Sequence, residues 1–140
     1  MADGRSLPYE DNYFDKIFSI SVLEHIPNNG DRETISELVR VLKPGGTLIL
    51  TVPFGKTYRE EFLKQDVYGT KFNGRTPVFF QRIYDKEKLE ERIIQPSKLN
   101  VLKEIICGEK YPLITEIYGK FLPFSALFGL TFPLLAITSL

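Results

Sequence analysis

Arg40-Val41-Leu42-Lys43-Pro44-Gly45-Gly46-Thr47-Leu48-Ile49-Leu50-Thr51-Val52-Pro53 contains the end of one element and the whole of the next. Lys43 places a cation at a helix C-terminus, Pro44 cannot continue the helix, and the two glycines suit a turn. The run from Thr47 to Val52 is β-branched and apolar and stops at Pro53, which predicts a buried strand. On the N-terminal side, Ile35, Leu38, Val39 and Leu42 fall at i, i+3, i+4 and i+7, with Arg32, Glu33, Glu37 and Arg40 opposite them. This predicts an amphipathic helix from Asp31 to Leu42, its first turn capped by Asp31 or Asn29. Earlier still, Ile17, Phe18, Ile20 and Val22 make Lys16 to Val22 a nearly continuous apolar run, the pattern of a strand covered on both faces. Pro8 and the pair Asp11-Asn12 predict a turn before it. Strand, helix, strand is a βαβ unit, which implies a parallel sheet and a right-handed crossover.

Beyond Pro53 the pattern weakens. Residues 54–84 mix Tyr58, Phe62, Tyr68, Phe72, Phe79, Phe80 and Tyr84 with glycine and both charges, and are expected to form loops and a short helix. These aromatics either line a pocket or form a small satellite core. Asp85 is expected to cap a short helix through Ile94 with Leu89 and Ile93 inward, and Leu99 to Cys107 to form a third strand. Residues 1–107 then make one α/β domain, and 108–140 an apolar C-terminal segment. Phe121 to Leu140 carries no charge over 20 residues but is interrupted by Pro123, Gly129 and Pro133. Three readings of it stay open: an element packed on the sheet, a segment in contact with a membrane, or exposed core.

The chain has 140 residues, 43% hydrophobic and 26% charged, a composition that fits one globular core. Its 18 basic and 18 acidic residues cancel, so no global field draws it to nucleic acid, and no nucleic-acid partner is expected. The single cysteine, Cys107, cannot form an intramolecular disulfide, and no Cys and His set has metal-ligand spacing. A cytoplasmic setting is expected, peripheral to the membrane if the tail touches a bilayer.

Five segments in order carry a resemblance: Asp3-Gly4-Arg5-Ser6-Leu7-Pro8-Tyr9, Asn12-Tyr13-Phe14-Asp15, Val22-Leu23-Glu24-His25-Ile26, Arg40 to Gly46, and Leu48 to Pro53. Together they are similar to the second half of a class I S-adenosylmethionine-dependent methyltransferase of the small-molecule type. The resemblance implies a partial Rossmann-like, doubly wound, mainly parallel sheet with flanking helices, the cofactor lying over the carboxyl ends of the strands. It implies that Asp3 accepts a hydrogen bond from the adenine amine of S-adenosylmethionine and that Gly4 offers its backbone amide to the ring. Ile20, Ser21 and Leu23 are then expected beside the cofactor. Glu24 and His25 would be the local acid–base candidates if the acceptor must lose a proton; a turn and capping pair is the structural alternative.

The family's glycine-rich turn, and the acidic residue that binds the cofactor's ribose, have no counterpart in these 140 residues. Gly45-Gly46 precedes a strand instead of opening a helix after one. The expected function is methyl transfer to a small-molecule or lipid-like acceptor by what is read as a partial domain. The alternative is a non-catalytic relative that serves as an oligomerisation or interaction module, pairing with a complete methyltransferase or with a second copy through the open edge of its first strand.

Overall fold

A computed structural model describes residues 3–106 and the backbone of Leu134–Thr138. The expected βαβ unit is present: strand β1 (Phe14–Ile20), helix α1 (Gly30–Val41) and strand β2 (Leu42–Thr51), with the two strands parallel and Ile17 to Ile20 aligned with Leu48 to Thr51. α1 stops before Lys43-Pro44, because the residue preceding a proline is driven out of the helical region. The two glycines that follow differ in purpose. Gly45 adopts a φ of +77°, whereas Gly46 packs so closely that a Cβ would lie 2.8 Å from both Leu42 Cδ1 and the Lys43 carbonyl.

Neither Asn29 nor Asp31 caps α1 in the expected way. Asn29 precedes the helix without a side-chain cap bond, and Asp31 is fully buried in an ion cluster described below. The segment before β1 is tied to α1 by polar contacts. Glu37 accepts from the Leu7 amide at 2.8 Å, and Arg40 reaches Asp11 at 2.6 Å.

Residues 54–84 depart from the sequence expectation of loops and a short helix. They form an antiparallel pair, β3 (Arg59–Leu63) and β4 (Val78–Ile83), joined by a long connection. A register shift between Glu61 and Phe62 breaks the alternation, which is why the period-2 signal was weak. The expected helix after Asp85 is present and longer: α2 (Lys86–Leu89) continues through a π-helical turn (Glu90–Ile94) into α3 (Gln95–Ser97). Asp85 caps it by accepting from the Lys88 amide at 2.9 Å. The irregular turn lies just before Pro96, which has no N–H to give to the preceding turn.

The third expected strand is β5 (Asn100–Ile105); Cys107 lies outside the described residues. Five residues of the apolar tail form β6 (Leu134–Thr138), inserted antiparallel between β2 and β5, so that the strand order is β1-β2-β6-β5. That part of the tail belongs to the sheet; the rest of Phe121 to Leu140 lies outside the described residues. Among the described residues no helix is long and apolar enough to cross a membrane.

One face of β1 and β2 is packed; on the other, β1 is left exposed by the described residues. Leu48, Leu50 and Val52 are fully buried with Leu23, Ile35, Tyr84, Leu89 and Ile93, forming the core between the sheet and the helices. Alternate residues of β1 point the other way, and Phe18 is 65% and Ile20 54% exposed. The expectation of a strand covered on both faces therefore fails for β1, whose outer edge pairs with no described strand.

Candidate functional site

Parallel pairing brings the carboxyl ends of β1 and β2 to the same side of the sheet. After Ile20 the chain turns at Ser21, whose φ of 50° lies in the left-handed region and costs a non-glycine residue about 1 kcal/mol. Thr51 at the end of β2 holds this turn. The Ser21 amide donates to the Thr51 hydroxyl at 3.0 Å and to its carbonyl at 3.2 Å. The single 3₁₀ turn Leu23–His25 follows.

The three residues of that turn face different surroundings. Leu23 is fully buried in the hydrophobic core. Glu24 is also fully buried, and neither carboxylate oxygen has a hydrogen-bond partner among the described residues. Burial pushes its pKa up to about 7, opposed only in part by its own amide and the Ser21 side chain. His25 bonds through Nδ1 to the Phe80 carbonyl at 2.8 Å. A carbonyl only accepts, so Nδ1 carries the proton and Nε2 of the neutral ring presents a lone pair. Burial favours that neutral form and lowers the His25 pKa, opposed in part by the bond to the Phe80 carbonyl. Nε2 lies 3.6 Å from Glu24 Oε1 and 3.5 Å from the Tyr68 hydroxyl.

The hairpin of β3 and β4 forms the opposite wall. A cleft of about 410 Å³ opens between His25 and Pro27 on one side and Tyr68, Lys71, Thr76 and Phe79 on the other. The rings of His25, Tyr68 and Phe80 form a cluster, with Tyr68 and Phe80 nearly parallel at 11° and 6.2 Å. A buried ion cluster fixes the hairpin to the His25 loop. Arg82, fully buried, donates to the carbonyls of Ile26 and Asn28 and to Glu60. Arg92 makes a two-point contact with Asp31 at 2.7 and 2.8 Å, and the Tyr84 hydroxyl donates to the same carboxylate at 2.8 Å. Buried charges are tolerated here because each is paired and hydrogen-bonded.

Asp3 and Gly4 sit in a turn closed by the Ser6 amide donating to the Asp3 carbonyl, beside Ile26 and Thr34. The structure thus brings that turn next to the loop carrying Glu24 and His25. Asp3 is exposed, and its carboxylate is held by Arg5, whose guanidinium and amide bonds keep the acid at about 2. It remains ionised and exposed, both oxygens engaged by Arg5. Ile20 stands exposed at the strand end and Ser21 is half-buried beside it. No described residue supplies a glycine-rich turn between a strand and a following helix.

Sequence reasoning nominated Glu24 and His25, left Tyr68 and Phe80 open between pocket lining and satellite core, took Asp31 for a helix cap, and missed Arg82 and Arg92. Phe80 acts through its carbonyl, and the charged residues looked like solvated surface because their partners lie far away in sequence. An Asp inside the first turn of α1 and an Arg amid the apolar residues of β4 were the available signals.

Residues 1–50 match the family described as "Methyltransferase domain". The chain is 45% identical over 53 residues to a tRNA (carboxymethyluridine(34)-5-O)-methyltransferase of Arabidopsis thaliana, covering 37% of this chain and 13% of the relative. It is 40% identical over 72 residues to a ubiquinone/menaquinone biosynthesis C-methyltransferase of Neisseria meningitidis, covering 51% of this chain and 28% of the relative. The match therefore spans less than a third of either relative. In fold, the chain is similar to Burkholderia thailandensis 1,6-didemethyltoxoflavin-N1-methyltransferase, a structure containing bound S-adenosylhomocysteine. The TM-score is 0.62 at 12% identity, over 97% of this chain and 48% of that one.

Proposed function

We propose that this chain, which carries part of a class I S-adenosylmethionine-dependent methyltransferase domain, serves methyl transfer to a small-molecule acceptor held between the His25 loop and the β3–β4 hairpin. The observation that carries this reading is the cleft beside His25, just past the carboxyl ends of two parallel strands. S-adenosylmethionine supplies, when bound, a methyl group on an electron-poor sulfonium. Asp3 and Gly4 receive the adenine edge, and Ile20, Ser21 and the backbone of Leu23 border the cofactor. Transfer of this kind needs positioning and exclusion of water more than a nucleophilic side chain. His25 Nε2 takes a proton from the acceptor, and Glu24 sits next to it as the buried acid.

The hairpin lies outside residues 1–50, so the acceptor wall is not part of the stretch that matches the family. The relatives' printed names span tRNA and quinone-pathway methylation, and the acceptor is assigned here from the cleft alone. Calorimetric titration with S-adenosylhomocysteine tests the reading. Saturable binding, weakened by Asp3→Ala, supports it; absence of binding by a folded sample removes it for this chain.

A second reading is favoured by the bare side of β1. Phe18 and Ile20 are exposed, and a groove of about 220 Å³ lined by Leu7, Phe14, Ile17, Phe18 and Leu38 runs along the same strand. In that reading β1 pairs with another chain and the domain acts as an interaction module. A monomer by light scattering that still binds S-adenosylhomocysteine would rule it out.

A further inference from the structure

Tyr68 is a phenol resting against the imidazole it would have to leave free. Its ring meets His25 edge-on, 4.9 Å between centroids, and lies parallel to Phe80. Its hydroxyl is 3.5 Å from Nε2, at the outer limit of a hydrogen bond. Tyr68 is 67% exposed, and its backbone has a φ of 45°, so little packing holds the ring in place. Because Nδ1 is committed to the Phe80 carbonyl, Nε2 can only accept, and a partner there must bring a donor. His25, Tyr68 and Phe79 give the cleft planar faces beside Thr70, Asn73 and Thr76, and a flat ring fits against those faces. Lys71 on the lining is already paired with Asp66 at 3.1 Å, so the cleft does not offer it freely to a carboxylate or phosphate.

We propose that the cleft binds a small phenol as methyl acceptor, its ring replacing Tyr68 against His25 and Phe80 and its hydroxyl donating to His25 Nε2. This rests on the methyl-transfer reading and specifies its acceptor. In the transfer the phenol oxygen bonds to the methyl carbon as the carbon–sulfur bond of the sulfonium breaks. The phenol proton passes to Nε2, and the sulfur keeps the electron pair.

His25 is the chain's single histidine, so its imidazole nitrogens are unambiguous in a ¹⁵N NMR spectrum. The probe is 4-methylphenol, the side chain of tyrosine as a free molecule, compared with toluene and 4-methylaniline. Saturable binding of 4-methylphenol that moves the Nε2 resonance is expected, with toluene binding roughly threefold to tenfold more weakly for want of one hydrogen bond. Tyr68→Ala is expected to tighten 4-methylphenol binding several-fold by removing the competing ring, and Tyr68→Phe to do so less. Equal binding of toluene or of 4-methylaniline overturns the proposal, as does 4-methylphenol binding that leaves Nε2 unmoved or is indifferent to Tyr68→Ala. Titration with S-adenosylhomocysteine on the same samples separates the two readings. Cofactor binding without a phenol response defeats the phenol assignment alone, and a phenol response without cofactor binding defeats methyl transfer alone.

Discussion

Glu24 differs from the other acidic residues because burial gives it little in return: its oxygens lack well-formed hydrogen bonds among the described residues, its own amide and the Ser21 side chain offset the burial only in part, and the neighbouring imidazole is held neutral. Its folded pKa of about 7 lies above the ordinary 4.5, so the native state binds the proton more tightly than the unfolded chain. Stability from this group is therefore full below about pH 4.5 and is lost as pH rises toward 7, by roughly 3 kcal/mol. Glu24→Gln is expected to remove that loss. Urea denaturation should find the variant and the parent similar near pH 4.5 and the variant more stable at pH 8. The pairing of Glu24 with His25 was legible in the sequence, since adjacent titratable residues at a strand end invite attention. The burial of one and the tautomer of the other were not, because the first depends on tertiary packing around the turn and the second on the Phe80 carbonyl, 55 positions away.

The hairpin of β3 and β4 and the loop after β1 behave as one unit because their charged residues meet inside it. Asp31 receives Arg92 and Tyr84 while Arg82 reaches back to the Ile26 and Asn28 carbonyls. Removing the carboxylate charge leaves buried guanidinium groups short of their partner, so Asp31→Asn is expected to cost about 3–5 kcal/mol in urea unfolding. Amide exchange in β4 should accelerate more than in β2. The first half of β2 is constrained differently. Gly46→Ala would drive a methyl into Leu42 and the Lys43 carbonyl, an overpacking expected to cost about 1–3 kcal/mol by the same measurement. The helix stop was readable from Lys43-Pro44, since it is a local property, whereas the two glycines expected in a turn lie within β2, which already begins at Leu42. The hairpin was not readable, because its bulge hides the alternation and its inward charges resemble a surface.

Across the molecule, the sheet is asymmetric among the described residues: helices cover one face of β1 and β2 while Phe18 and Ile20 on β1 stay exposed beside an edge that pairs with no described strand. Such an edge invites strand pairing, and a lysine on it is a common safeguard. Phe18→Lys is expected to lower self-association measured by light scattering, with unfolding free energy changed by no more than about 0.5 kcal/mol because the side chain is largely solvated already. If self-association is unchanged, contact through β1 is not its cause. The strand order β1-β2-β6-β5 also shows why the tail was hard to read. Its last strand must lie between two others that precede it in sequence.

Local chemistry was enough for the βαβ unit and the methyltransferase resemblance, since helical periodicity, β-branched runs, a proline stop and five short motifs are all properties of neighbours along the chain. It was also enough to nominate Asp3, Ser21, Glu24 and His25. Tertiary structure alone decided which carboxyl loses its water, which imidazole nitrogen keeps a lone pair, and which aromatic ring stands in front of it. Those outcomes depend on desolvation and on hydrogen bonds between residues tens of positions apart, and such terms arise only when the hairpin folds back over the ends of the strands.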